Sequence, residues 1–474
     1  MKKKVNAKLK REHPIIGKKV EESLDSSIRE GAVSSISTGL GASYLAPFAI
    51  AMNATSSQIG ILNGMIHLIP SLVHLGASNL VEKISSKKIV LYGVLSQVIL
   101  WLIAIQIGIG FYLGMPNSVW ILIILTGALY AVGALIHSAW FFWMGLLVPD
   151  HIRGNYFSKR NIIVGLFGLV TMIVAAFFLD WVEAFESSNI LFYTIFGFSI
   201  IFFFTAFFRF LSWTILRKTY EPKIKIGKRC YFSFWQFIKN GRSTPFGKFA
   251  IFRGFFSIAI GISIPFFEFY LLRNLGFSYI WFMAVIASGT FFQLIFLPVL
   301  GKVSDKFGNI ELTKISAGLI FLVPGLWYLS SWISNPLMLR LYLLFVPSIV
   351  SGFAWAGYNL AINNYIYDAV SQKKICLGIS YINIIVGVCM FIGTSIGTLI
   401  AWVGVPFMDT ILFIFLVSTA ARLVVFLFGI KHLKEVRPVK KFSSRYLIKE
   451  FKPFQEIIKE ANYVGHVFEP NHKI

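Results

Sequence analysis

A carboxylate set among apolar residues is the first chemistry this chain offers. Glu268 stands in Pro265-Phe-Phe-Glu-Phe-Tyr-Leu-Leu-Arg273, where an acid can take up a proton, hold a cationic group or pair with a base. Arg273, five residues on, falls on another helical face, so Arg340 is the expected partner for a pair. His137, Trp140, Phe141 and Met144 follow i, i+3, i+4, i+7 spacing, and Trp355, Tyr358, Asn359 and Asn363 share a second face. Together with Tyr44, these rings and amides could line a cavity for a polar organic molecule with some apolar surface; packing between helices is the competing role. His67 and His74 lie seven apart with no third ligand in view, so helix-packing hydrogen bonds are expected there and no metal site. Cys230, Cys376 and Cys389 make no spaced metal or redox motif. A phosphate-binding Lys loop and a His-Glu-x-x-His helix are both missing, so no enzyme and no cofactor is expected.

The elements that must position these groups are set by composition. The chain has 474 residues, 56% hydrophobic and only 14% charged, with mean hydropathy +0.72. A water-soluble fold averages about 45–50% apolar and about 25% charged residues. Apolar runs of membrane-spanning length recur near 31–52, 56–80, 88–111, 118–147, 158–181, 189–213, 248–272, 278–300, 311–331, 337–363, 376–402 and 407–430. The expected fold is an all-α integral membrane protein of twelve transmembrane helices. Residues 1–30 are polar with no apolar core segment, so the first span itself should direct insertion.

The net charge of +23 does not point to nucleic acid, because the basic residues sit in tails and short blocks between spans. Of 44 Lys and Arg, 42 fall on one side of the twelve-span partition, leaving Arg273 and Arg340 on the other. The positive-inside rule then places both termini in the cytoplasm of a multi-pass cell-membrane protein, its basic residues facing anionic lipid head groups. The chain divides into a basic tail (1–30), a six-helix bundle (31–213), a linker (214–247), a second bundle (248–430) and a basic amphipathic tail (431–474). Surface helices are expected around 231–238 and 447–458.

The halves are related. Ser158-Lys-Arg-Asn-Ile-Ile-Val-Gly165 and Ser380-Tyr-Ile-Asn-Ile-Ile-Val-Gly387 match at six of eight positions, 222 residues apart. Two six-helix copies inserted in the same direction are related by an axis along the membrane normal.

Gly301-Lys-Val-Ser-Asp305-Lys306-Phe-Gly308-Asn309 resembles the Gly-x-x-x-Asp-Arg/Lys-x-Gly loop of the major facilitator superfamily. Its degenerate first-half counterpart ends in Glu82-Lys83. Pro149-Asp-His-Ile-Arg153-Gly154, continuing to Arg160-Asn161, is similar to a second loop of that superfamily. Asn309 and Ile310 depart from the pattern where a basic pair usually ends it. The resemblance, spanning residues 30–430, implies two pseudo-symmetric bundles around a central cavity, with these loops closing its cytoplasmic side. It also implies a monomeric carrier of a small solute, coupled to H+ or Na+ or to neither, working by rocker-switch alternating access. The absence of Arg in the fourth span and of Pro in the fifth argues against proton-driven drug export. A transporter-derived sensor or scaffold and an intramembrane enzyme are the alternatives.

Overall fold

The computed structural model describes residues 14–148, 153–184, 189–222, 239, 243–370 and 375–440, and every regular element among them is helical. Helices α1 (Pro14–Leu40), α2 (Leu45–Ala51), α3 (Ser56–Lys83), α4 (Ser86–Tyr112), α5 (Ser118–Leu147), α6 (Arg153–Glu183) and α7 (Ile190–Lys218) form the first half. The second half has α8 (Pro245–Gly261), α9 (Ile264–Phe269), α10 (Tyr279–Phe307), α11 (Asn309–Ile320), α12 (Leu322–Leu329), α13 (Pro336–Ala369), α14 (Ile375–Val403) and α15 (Thr410–Gly429). Their starts follow from sequence. Ser85, Asn189, Thr244, Asn335 and Asp409 each accept a first-turn N–H with the side chain, and proline opens α8 and α13, where its missing N–H costs nothing.

Ten helical stretches among the described residues are long and apolar enough to cross a membrane, and they coincide with the third to twelfth expected spans. The first expected span is α1 plus α2, broken by a tight turn at Ala42–Tyr44, and the second is α3. Three expectations change. Residues 14–30, read as tail, are helical, and Ser23, Ser27 and Glu30 are buried, because their small or hydrogen-bonded side chains let α1 pack along its length. The linker begins only after Lys218, since α7 continues its apolar face past residue 213. Arg209, Arg253 and Arg422, counted with the basic loops, lie inside spans. The two expected surface helices fall outside the described residues.

The chain forms two compact units, Met1–Arg229 with Phe266–Met283, and Cys230–Pro265 with Ala284–Ile474. The segment 266–283 thus packs with the first unit, although its place in sequence assigns it to the second. Within unit one, α1 packs on α6 and α7, and α4 on α5 and α7; within unit two, α8 packs on α14 and α15, and α11 on α13 and α15. These four pairings correspond, and the starts of α4, α5, α6 and α7 precede those of α11, α13, α14 and α15 by 218 to 223 residues.

One contact shows why the duplication persists in the residues. A Cβ on Gly39 would sit 2.7 Å from the Gly168 carbonyl of α6, and one on Gly261 would sit 2.6 Å from the Met390 carbonyl of α14. Gly39 and Gly261 are 222 positions apart, so both copies use a glycine to bring backbones together where the bilayer supplies no hydrophobic drive between helices.

Candidate functional site

Unit one carries a polar network in its helical interior. Glu30 of α1 faces Arg160 of α6 at 3.5 Å and accepts from Ser212 Oγ of α7 at 2.8 Å. Arg160 also donates to the Ser27 carbonyl at 3.3 Å, and its guanidinium lies over the Trp140 ring of α5, 4.2 Å from the centroid. Arg209 of α7 donates to Gln97 Oε1 of α4 at 2.8 Å and to Ser34 Oγ at 2.6 Å. Glu30 pairs with Arg160 and acts on Arg209 only at longer range, so one carboxylate stands against two guanidinium groups. The cation–π contact and the neutral oxygens hold the excess positive charge away from lipid.

Unit two buries one cation, Arg422, with no acid beside it among the described residues. Arg422 of α15 is 2% exposed. It donates to the Ile320 carbonyl at 3.0 Å, the Ile260 carbonyl at 3.3 Å and Ser263 Oγ at 2.7 Å. Ile320 is the last residue of α11, and Ile260 is the penultimate residue of α8. The negative ends of two helix dipoles thus neutralise one guanidinium, and they do so where both helices break. Beyond the break, α9 carries Glu268 and runs into a π-helical turn, Tyr270–Asn274. Glu268 is half-buried and makes no ion pair or hydrogen bond among the described residues. Glu268 belongs to unit one and Arg340, its expected partner, to unit two; Arg273 donates to Asn53 at 3.4 Å. Tyr130 of α5 lies within electrostatic reach of Glu268. Also in unit one, Asp180 accepts from Tyr279 N at 2.7 Å and Ile280 N at 3.1 Å, capping α10.

The expected cavity residues separate into distinct environments. Tyr44 is fully buried, its hydroxyl given to the Met172 carbonyl at 2.6 Å and its ring against Phe198. His137 is exposed, stacked with Phe141 and edge-on to His74, whose Nδ1 pairs with Ser138 Oγ at 2.9 Å. Trp140 Nε1 is buried with no hydrogen-bond partner. Trp355 and Tyr358 meet edge to face at 5.8 Å, while Asn359 and Asn363 are exposed. Cys389 is a free thiol, and no group of three metal-ligating side chains occurs among the described residues.

At the loop end of each unit, an extended segment folds back over the helices. In unit one, Trp143 Nε1 of α5 donates to the Tyr220 carbonyl at 3.0 Å, and Glu221 accepts from Ser85 Oγ at 2.6 Å and Lys87 N at 3.1 Å. In unit two, the Tyr365 hydroxyl of α13 donates to the Lys434 carbonyl at 2.9 Å, and Glu435 accepts from Ile310 N at 2.9 Å. Trp143 and Tyr365 are 222 apart, and Lys87 and Ile310 are each the second residue of their helix. The motif residues fall around this clasp. Gly308 has φ +93°, and a methyl there would occupy the place of Glu435 Oε2. Gly301, expected in the turn, instead lies within α10, which runs to Phe307. Asp305 is exposed and makes no hydrogen bond among the described residues; Glu435 caps the first turn of α11. Lys306 lies over its neighbour's ring, Phe307. Asn309 is fully buried, accepting from Ser304 at 2.5 Å and donating to Asp368 at 2.6 Å. Arg437 faces that Asp368 at 3.6 Å, so a base from beyond α15 supplies the charge that position 309 lacks. Asn161 is exposed, and the side chains of Glu82, Lys83 and Arg153 lie outside the described residues.

Sequence reasoning missed Glu30, Arg209, Arg422 and both clasp glutamates. Arg422 carried a visible signal, with apolar residues on both sides across Thr410–Gly429. Glu221 and Glu435 carried none, since capping across a fold is not written in local spacing.

No curated protein sequence matches the chain. Solved structures do match it. The nucleoside transporter NupG aligns at TM-score 0.64 and 13% identity, covering 87% of this chain and 99% of the other. The xylose transporter XylE from E. coli aligns at 0.61 and 13%, covering 88% and 99%. A bacterial homologue of the iron transporter ferroportin aligns at 0.59 and 14%, covering 87% and 98%. At such identities the likeness is one of fold. The family model of the Major Facilitator Superfamily matches residues 31–346, two thirds of the chain, so this multi-pass membrane protein belongs to the Major Facilitator Superfamily and is a transporter.

Proposed function

We propose that the protein is a secondary active or facilitative carrier of a small solute, built as twelve transmembrane helices in two pseudo-symmetric six-helix bundles and working by rocker-switch alternating access. The carrying observation is that both units repeat four helix pairings, a crossing glycine and a glutamate clasp. Two copies of one rigid body are what an exchange between inward- and outward-open states requires. In this reading the protein acts as a monomer in the cell membrane with both termini cytoplasmic, and the clasp ends face the cytoplasm.

Glu268 is the coupling residue of this proposal. It stands without an ion pair on an interrupted helix, the setting in which membrane carriers expose backbone and side chain to a cargo or an ion. A carboxyl there can exchange H+ or Na+ as its surroundings open and close.

Uptake of radiolabelled solutes into proteoliposomes, with and without imposed proton or sodium gradients, tests the proposal. Saturable flux that responds to one gradient or to trans solute supports it, and no such flux across a broad panel would refute it. In a proton-driven case, Glu268→Gln should abolish gradient-driven accumulation while leaving exchange intact. Unchanged pH dependence in that variant removes Glu268 from the coupling step.

A further inference from the structure

Arg253 is an intramembrane cation of unit two that the helix ends do not satisfy. It lies in α8, eight residues after Pro245, half-buried, and no hydrogen bond or ion pair reaches its guanidinium among the described residues. Its place is fixed by its neighbours on the same face. Phe249, four residues before, packs on Tyr365 of α13 at 4.5 Å, and Phe256, three residues after, packs on Tyr358 at 5.4 Å. Arg253 therefore shares the face of α8 that meets these two tyrosines, and its guanidinium lies within electrostatic reach of Tyr358.

The two tyrosines differ in one respect. The Tyr365 hydroxyl is given to the Lys434 carbonyl, whereas the Tyr358 hydroxyl, on a residue 4% exposed, has no hydrogen-bond partner among the described residues. A buried hydroxyl left unmatched within electrostatic reach of an uncompensated guanidinium puts two unspent donors on neighbouring helices.

The surrounding charge leaves that place positive. Helices α8, α12, α14 and α15 contain no Asp or Glu, and the acids of α10, α11 and α13 are Asp305, Glu311 and Asp368, all at the clasp end. Asp368 is ten residues from Tyr358, about 15 Å along the helix at ~1.5 Å per residue, and is already engaged by Asn309 and Arg437. Arg422 adds a second buried cation to the same unit.

We propose that Arg253 and Tyr358 form an anion subsite within unit two, which takes the carboxylate or phosphate end of an organic solute while the edge-to-face Trp355 ring flanks its apolar part. The guanidinium offers the planar fork that matches both oxyanions, and the phenol supplies a third donor. The inference rests on the transport reading and narrows its cargo to organic anions.

Equilibrium binding to the full-length protein in detergent, read by tryptophan fluorescence and calorimetry, separates the two ideas, because it needs no flux. The probes are benzoate and phenyl phosphate, with benzamide and benzylamine as neutral and cationic analogues. At least one of the two anions should bind saturably and at least tenfold more tightly than either analogue. Arg253→Gln should weaken that binding at least tenfold, Arg253→Lys by less, and Tyr358→Phe several-fold. Thermal melts establish that each variant is folded, and Tyr358→Phe, which removes one unpaired oxygen, keeps the test open if an Arg253 variant is not. Equal affinity for benzamide, unchanged affinity in folded Arg253→Gln, or no saturable binding of either anion would overturn the subsite. Saturable anion binding by a protein that carries nothing would sink the transport reading alone. Carriage of a neutral solute by a protein that ignores both anions would sink the subsite alone.

Discussion

Removing the Glu435 carboxylate should loosen the first turn of α11 and little else. The carboxylate accepts from Ile310 N at 2.9 Å, a hydrogen bond to a charged group worth ~1.5–3 kcal/mol net. It also sits at the positive end of the helix dipole, worth about 0.3–1 kcal/mol. Glu435 is half-buried, so solvent screens part of both, and about 2 kcal/mol is the expected loss in Glu435→Ala. At ~1.4 kcal/mol per tenfold, that is roughly thirtyfold faster opening. Glu435→Gln keeps an acceptor and should lose about half the energy, roughly fivefold. Hydrogen exchange of the detergent-solubilised protein, followed on peptides covering 308–316, measures this directly. Glu221→Ala should produce the matching change at 85–92 and leave 308–316 untouched. Exchange at 308–316 within twofold of wild type in Glu435→Ala, or equal acceleration in both regions, would refute the clasp as a local cap.

Arg422→Lys should lower the melting temperature, because a single ammonium cannot span the Ile260 and Ile320 carbonyls and Ser263 together; a melt within one degree of wild type would show that the bonds are dispensable. Gly261→Val should cost ~1–3 kcal/mol through the clash at the Met390 carbonyl, seen as a lower melting temperature, with Gly39→Val behaving alike at its own crossing. Glu30→Gln leaves Arg160 and Arg209 without their shared acid. The penalty should fall below the ~3–5 kcal/mol typical of a broken buried pair, because both bases keep neutral acceptors, and reduced thermal stability that Arg160→Gln partly restores is the signature.

Hydropathy made the spans legible because lipid demands length and apolarity of each helix independently. The duplicated octapeptide made the repeat legible because its identities are contiguous. What escaped detection depends on contacts between distant positions. Tyr44 has the residue type of a cavity lining yet spends its hydroxyl on a backbone carbonyl 128 positions away. The basic-residue partition swept Arg209, Arg253 and Arg422 into loops because counting charge by region ignores where helices end. Asp305 was matched by motif, whereas the carboxylate that caps α11 is Glu435, across the fold. Glu268 stands out in the sequence because a lone acid in an apolar run is a local signal, while the identity of its neighbours is not.

The Arg422 arrangement has a mechanical side. A guanidinium neutralised by carboxylates could be released by protonating them; one held by the carbonyl ends of α8 and α11 has no such trigger within a physiological pH range. It therefore acts as a permanent rivet, fastening α15 to two helices at the points where their own ladders stop. Its Ser263 contact falls one residue before α9, the helix that bears Glu268, so the rivet also pins the short link between α8 and α9.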